Sequence, residues 1–188
     1  MLILASASPR RLDLLARIGV VPEGVDPADV DESVFKNELP RDHARRLARE
    51  KVLAVAGRQP GKIVLAADTV VHAGRRILPK AENETVARQC LELLSGRRHR
   101  VLTAIAVIDA GGKLRERLSE SLVTLKPLTR REIDAYVASD EWRGKAGGYA
   151  LQSYAEAFCR DFRGSHSGVV GLPLYETRNL LIASGLDL

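Results

Sequence analysis

Apolar residues fall into two patterns along the chain: short unbroken runs, and repeats at helical spacing. Leu2 to Ala5 is an unbroken run and predicts a buried strand. Ser8 and Pro9 then supply an N-cap and a proline at the first helical position, Leu12, Leu15 and Ile18 recur at helical spacing, and Gly19 ends the helix. Residues 21–39 are irregular and acidic, with Asp29, Asp31, Glu32 and Glu38. Ala44, Leu47, Ala48, Val52 and Val55 mark an amphipathic helix over 41–56, closed by Gly57. Ile63 to Ala67 predicts a central strand that ends at Asp68-Thr69, and residues 70–78 predict a hairpin around Gly74-Arg75.

The second half is richer in strands. A helix over 83–94 turns Val86, Ala87, Cys90, Leu91 and Leu94 inward. Residues 101–109 and 114–125 are strands joined at Ala110-Gly111-Gly112. Thr129 and Glu132 form a capping box for a short helix carrying Ile133, Tyr136 and Val137. Residues 149–152 and 157–162 are expected to be extended, and a last helix runs over 173–183. Alternation early and strands later predict an α/β or mixed α+β sheet with helices packed on it.

With 188 residues the chain suits one domain, or two small lobes. Its 45% hydrophobic and 28% charged residues exclude a disordered, collagenous or disulfide-built chain. Cys90 and Cys159 are expected to be buried free thiols in a reducing compartment. The opening MLILASASPRR lacks a basic segment ahead of its apolar run, unlike a signal peptide, and no apolar stretch approaches the roughly 18 residues of a membrane span. The expected location is the cytoplasm. The net charge of +5 comes from scattered basic residues, and only 4% of residues are aromatic, too few for stacking single strands; stable nucleic-acid binding is not expected.

Three features carry candidate chemistry. The strand-loop-helix start offers helix N-terminal N–H groups, the hydroxyls of Ser6 and Ser8, and the guanidinium groups of Arg10 and Arg11, a set suited to phosphate. Its alternative is an ordinary capped helix with solvated arginines. Asp68, at the end of a predicted strand, can hold Mg²⁺ or take a proton from water, or simply cap a turn. Lys51 falls on the apolar stripe of its helix, four residues from both Leu47 and Val55, so it must snorkel or find an anion. Lys80 has a surface lysine as its default reading. His43, His72, His99 and His166 have no metal-ligand spacing, and no GxSxG, Walker A or GxGxxG stretch occurs. Gly144, Gly147 and Gly148 bracket Lys145, and Gly164, Gly168 and Gly171 precede Leu172-Pro173; either stretch suits a close backbone approach to a ligand or a plain turn.

Taken in order, the segments resemble the Maf family of nucleoside triphosphate pyrophosphatases over almost the whole chain. The resemblance rests on Leu4-Ala5-Ser6-Ala7-Ser8-Pro9-Arg10-Arg11, Asp31-Glu32, residues 47–51, Ala67-Asp68-Thr69-Val70-Val71, and Ser95-Gly96 with His99, Val101 and Thr103. Gly144-Lys145-Ala146-Gly147-Gly148-Tyr149-Ala150-Leu151-Gln152 and the block from Gly164 to Pro173 complete it.

The resemblance implies a mixed twisted sheet flanked by helices, with two lobes around a nucleotide cleft, in a single domain over 1–188. It also implies hydrolysis of a triphosphate to the monophosphate and pyrophosphate with Mg²⁺ or Mn²⁺, and a homodimer. The late block is similar to the branch acting on dTTP and UTP, an expectation that extends to modified pyrimidine triphosphates. Asp68 matches the family's catalytic aspartate, and Arg10, Thr69 and Gln152 match positions tied to substrate choice. Glu32 and Asp68 would hold the metal, while Ser6, Arg10, Arg11, Lys51 and Lys80 would meet the phosphates. Lys80-Ala81 departs from the family's usual Lys-Pro and predicts a looser loop. Two alternatives stay open: a nucleotide-binding regulator of cell division or septum formation with little catalysis and, ranked lower, a nucleic-acid binder.

Overall fold

Runs of β-branched and aliphatic residues, nearly unbroken in two strands that are buried on both faces, build a sheet whose middle is three extended strands. The computed structural model describes residues 1–188. β1 (Leu2–Leu4) leads into α1 (Pro9–Arg17), then β2 (Gly24–Val25) and α2 (Pro40–Ala56). β3 (Ile63–Ala73), β4 (Arg76–Leu78), β5 (Lys80–Ala81) and α3 (Glu84–Leu94) follow. Then come β6 (Arg98–Ile108), β7 (Leu114–Leu125), α4 (Arg130–Ala138) and β8 (Lys145–Ala146). A 3₁₀ turn (Tyr154–Phe158), β9 (Cys159–Arg163), α5 (His166–Val170) and α6 (Leu174–Ala183) complete the chain.

The main sheet has the order β2-β1-β3-β6-β7-β9, with β4 also paired to β3. β1 lies parallel to β2 and β3, and the remaining pairs are antiparallel, so the sheet is mixed as expected. Period-two alternation sends β3 residues to opposite faces. Val64, Ala66 and Val70 pack with Ala44, Ala48, Val52 and Val55 of α2, whereas Leu65 and Ala67 pack with Leu14 and Leu15 of α1 and with Leu180 and Leu181 of α6. Farther along, Val71 joins a separate core with α3, α4 and the fully buried Trp142, whose Nε1 donates to Val137 O at 2.8 Å.

One property of this sheet creates the site. On the edge of β3 away from β6, β1 pairs only with Ile63–Leu65, and β4 pairs only with Val71–Ala73. Residues 66–70 therefore have no strand beside them on that edge, and the chain opens into a cleft there. The expectation that the strand ends at Asp68-Thr69 is thus corrected. β3 continues to Ala73 because its ladder with β6 is unbroken from Val64 to His72, with Asp68 opposite Ala104 and Thr69 opposite Thr103. Asp68 sits at a gap in the neighbouring strand, not at a strand terminus.

Other expectations fare variously. The Thr129–Glu132 capping box is present, with Glu132 N donating to Thr129 Oγ1 at 3.3 Å and Thr129 N donating to Glu132 Oε2 at 2.9 Å. Ser8 occupies the N-cap of α1, but its side chain makes no capping bond; its N–H instead donates to Ser6 Oγ at 3.3 Å. Residues 149–152 are not extended, because Gly147 and Gly148 turn the chain at φ +70° and +69° and a second turn covers 151–153. Residues 157–158 belong to the 3₁₀ turn, and the strand starts at Cys159. Both cysteines are free, Cys90 buried and Cys159 only half-buried. The loop after Lys80 is not loose: Lys80 and Ala81 pair with Ala146 and Lys145, and Ala81 is fully buried.

Candidate active site

The cleft beside residues 66–70 of β3 is a cavity of about 270 Å³. Its lining includes Ser6, Arg10, Arg11, Glu32, Lys51, Asp68, Thr69, Lys80 and Gln152, so each residue singled out in the sequence reaches one space. They arrive from seven segments: the β1–α1 loop, α1, the 26–39 loop, α2, β3, β5 and the turn after Tyr149.

At its acidic centre, Lys51 Nζ lies 2.7 Å from Asp68 Oδ1 and 2.6 Å from Glu32 Oε1. Lys80 Nζ pairs with the other Glu32 oxygen. This answers the problem posed by a lysine on an apolar stripe: Lys51 is 7% exposed and is neutralised by two carboxylates. Partial burial pushes the Glu32 carboxyl up, but hydrogen bonds from Lys51 and Lys80 outweigh it and hold the group down at about 2. Glu32 is therefore ionised throughout the neutral range.

The opening loop and α1 make the cationic wall. Arg11 Nη1 donates to Ser6 Oγ at 2.7 Å, and Arg11 Nε donates to Gly171 O at 2.9 Å. Arg11 thereby clamps the first loop to the segment after α5. Burial pushes its guanidinium down from its ordinary value, while Asp68 pulls the other way. Ser6 Oγ accepts from both Arg11 and Ser8 N–H, so its own proton remains to be donated. Arg10 has no carboxylate within ion-pair distance, and burial lowers its pKa.

Thr69 points to the opposite face of β3 from Asp68. Its Oγ1 is 3.0 Å from Thr103 Oγ1, and Thr103 donates to Gly168 O at 2.7 Å. A hydroxyl has one proton, so Thr69 donates to Thr103 and keeps acceptor lone pairs. Gln152 is exposed at the mouth, and Val71, Val101, Tyr149, Leu151 and Val169 give part of the lining an apolar character. The phenol of the buried Tyr149 lies 2.7 Å from His99 Nε2.

Lys145 also lines the cavity, a role that the sequence reading left undecided. Burial, then the nearby Arg10, lowers its pKa, and it has no carboxylate partner within ion-pair distance. Its signal in the sequence is a lysine held between glycines. The strand pair β5–β8 sets Lys145 opposite Ala81, the residue after Lys80, and Gly147 is required where the chain crosses β3: a Cβ there would lie 2.8 Å from Val71 Cγ1. Arg10, Arg11, Lys51, Lys80 and Lys145 face only Glu32 and Asp68 among acidic lining residues, an excess of three positive charges.

The family model for Maf-like proteins matches residues 1–184. The chain belongs to the Maf family. Maf relatives include a dTTP/UTP pyrophosphatase of Novosphingobium aromaticivorans, 64% identical over 99% of this chain and 92% of that protein. Another dTTP/UTP pyrophosphatase, from Caulobacter vibrioides, is 60% identical over 98% of this chain and 95% of its own length. A solved HAM1 protein of Coxiella burnetii superposes with a TM-score of 0.51 at 16% identity, covering 97% of this chain and 98% of that one, and shares the fold.

Proposed function

We propose that this Maf-family chain hydrolyses dTTP and UTP to the monophosphate and pyrophosphate, removing nucleotides from the pool. The observation that carries the reading is the cavity's excess of three cationic side chains around two carboxylates. A triphosphate carries a matching negative charge, and the relatives' descriptions supply the substrate class. The net charge of the whole chain would suit many anions; the local excess within a cavity of nucleotide scale is selective.

In this reading Arg10, Arg11, Lys80 and Lys145 bind the phosphate chain, with Ser6 donating its hydroxyl proton to a phosphate oxygen. Asp68 takes a proton from the water that attacks the α-phosphorus. Lys51 engages Oδ1, which leaves Oδ2 for that proton. Pyrophosphate departs, and its charge is met by the same cations. Gln152 reads the base with one donor and one acceptor, and Thr69 presents lone pairs to a nucleotide donor.

A divalent cation belongs to this proposal, and the donor set fits one. Glu32 and Asp68 carry hard carboxylate oxygens that converge on a single ammonium, and Mg²⁺ is typically held by one or two carboxylates plus phosphate oxygens. When bound, Mg²⁺ or Mn²⁺ would offset charge on the phosphates and help the leaving group depart. A cytoplasmic site of action fits a nucleotide substrate and two free cysteines. No helix is long and apolar enough to cross a membrane.

The test is pyrophosphate release from a panel of purine and pyrimidine triphosphates, with and without Mg²⁺ or Mn²⁺. Metal-dependent release from dTTP and UTP above the purines is expected. Binding without release from any nucleotide would favour the regulatory alternative.

A further inference from the structure

Glu32 sits on a segment with little to hold it in place. Residues 31–37 are all exposed, Asn37 adopts φ +64°, and the segment packs no side chain into a core. Hydrophobic burial therefore does not fix where the Glu32 carboxylate points. Its own bonds to Lys51 and Lys80 reach the groups a substrate and a cation would engage, so they change when the site is in use.

A single side chain outside the cavity grips both flanks of Glu32. Arg46, on α2, donates through Nη2 to Ser33 O at 2.8 Å, and its Nη1 lies 3.5 Å from Asp31 O. Its guanidinium carbon stacks 3.8 Å from the Phe35 ring centroid. Nε and Nη2 fork onto the Glu38 carboxylate at 2.7 and 3.0 Å. Glu38 Oε2 in turn accepts from Phe35 N–H at 3.0 Å and lies 2.9 Å from His43 Nδ1. Arg46 is itself steadied by Glu50 at 3.1 Å, one turn along α2. Arg46 and Lys51 share that helix, so the frame that carries Lys51 to Asp68 also carries the grip on the Glu32 segment.

We infer that Arg46 is a positioning residue for Glu32: its planar fork, bound at once to the carbonyl after Glu32, to Glu38 and to the Phe35 face, sets the carboxylate's place over the cavity. Only a planar, multidentate cation can make all these contacts together, so a lysine at 46 does not substitute. The role rests on the proposed reaction only for its kinetic consequence; the tethering itself stands apart from it.

Two measurements test it, using Arg46→Met and Arg46→Lys in the full chain. Amide hydrogen exchange of residues 29–37 is expected to quicken about tenfold or more in both variants, as a tether of a few hydrogen bonds is lost. Unchanged exchange there, or quickening in Glu32→Gln but not in the Arg46 variants, would overturn the proposal. In steady-state hydrolysis of dTTP, the Mg²⁺ concentration for half-maximal rate should rise, or kcat fall, by about 10–100-fold, with the nucleotide KM little changed at saturating Mg²⁺. A rise in KM alone would instead assign Arg46 to substrate binding and overturn it. Should the wild-type chain release no pyrophosphate, the function assigned above fails, while the exchange result still decides the tether.

Discussion

Lys51 Nζ lies 2.7 Å from Asp68 Oδ1, and the two residues are 7% and 4% exposed, one on the buried face of α2 and the other in the middle of β3. The pair is the point where the fold and the proposed chemistry meet. Removing one partner leaves a buried charge unmatched, which typically costs about 3–5 kcal/mol. Lys51→Met should therefore lower the unfolding free energy measured in denaturant by about that much, and Asp68→Asn in the same chain should restore part of it. Asp68→Asn alone keeps an oxygen for Lys51 but cannot take a proton. It should still bind dTTP by calorimetry while kcat falls about 10²–10⁴-fold, and full turnover would remove Asp68 as the base.

Gln152 stands at the cavity mouth on a turn, free of the core. Replacing it with Ala should leave folding unchanged. The kcat/KM preference for UTP over a purine triphosphate should drop about tenfold, the scale of one net hydrogen bond. An unchanged preference would move base reading to another residue, with Thr69 next in line.

Much of this arrangement is legible in the chain, for identifiable reasons. Lys51 interrupts a helical apolar stripe, and a charge at such a position needs a partner; the structure supplies Asp68 and Glu32. The two long antiparallel strands announce themselves by composition and turn signals. The gap on the free edge of β3 is different. It depends on β1 stopping at Leu4 and β4 stopping at Leu78, which is a matter of pairing between separate segments and leaves no local mark in residues 66–70. The same holds for the Glu32 segment, whose exposed residues show no periodicity and whose order comes from Arg46 across the loop.

Lys145 reaches the cavity without a carboxylate partner, and its neighbour Arg10 also lacks one. A bound polyphosphate relieves the repulsion between such cations, so their removal should be felt in binding. Lys145→Ala should raise the KM for dTTP about tenfold, as expected for one charged hydrogen bond, with no loss of thermal stability. Gly147→Ala is the contrasting case. A Cβ at φ +70° and 2.8 Å from Val71 Cγ1 must displace the turn, so both the melting temperature and the nucleotide affinity should fall together.

The His99–Tyr149 pair sets a pH dependence of folding that is separate from the carboxylates. Burial pushes His99 down to about 4, and burial likewise raises the Tyr149 phenol, so at neutral pH both groups are uncharged. An unfolded histidine titrates near 6.5. Between those two values the unfolded chain binds a proton at this position and the folded chain does not. Protonation thus favours unfolding as the pH drops. The stabilisation is complete above about pH 6.5 and is lost progressively toward pH 4. Glu32, held at about 2, acts only lower, between the ordinary carboxylate range and that value. Thermal melting followed from pH 8 to 4 should show the first loss in wild type, whereas His99→Gln, which cannot take up a proton, should flatten that segment of the curve. An equal slope in both proteins would mean that another group is responsible.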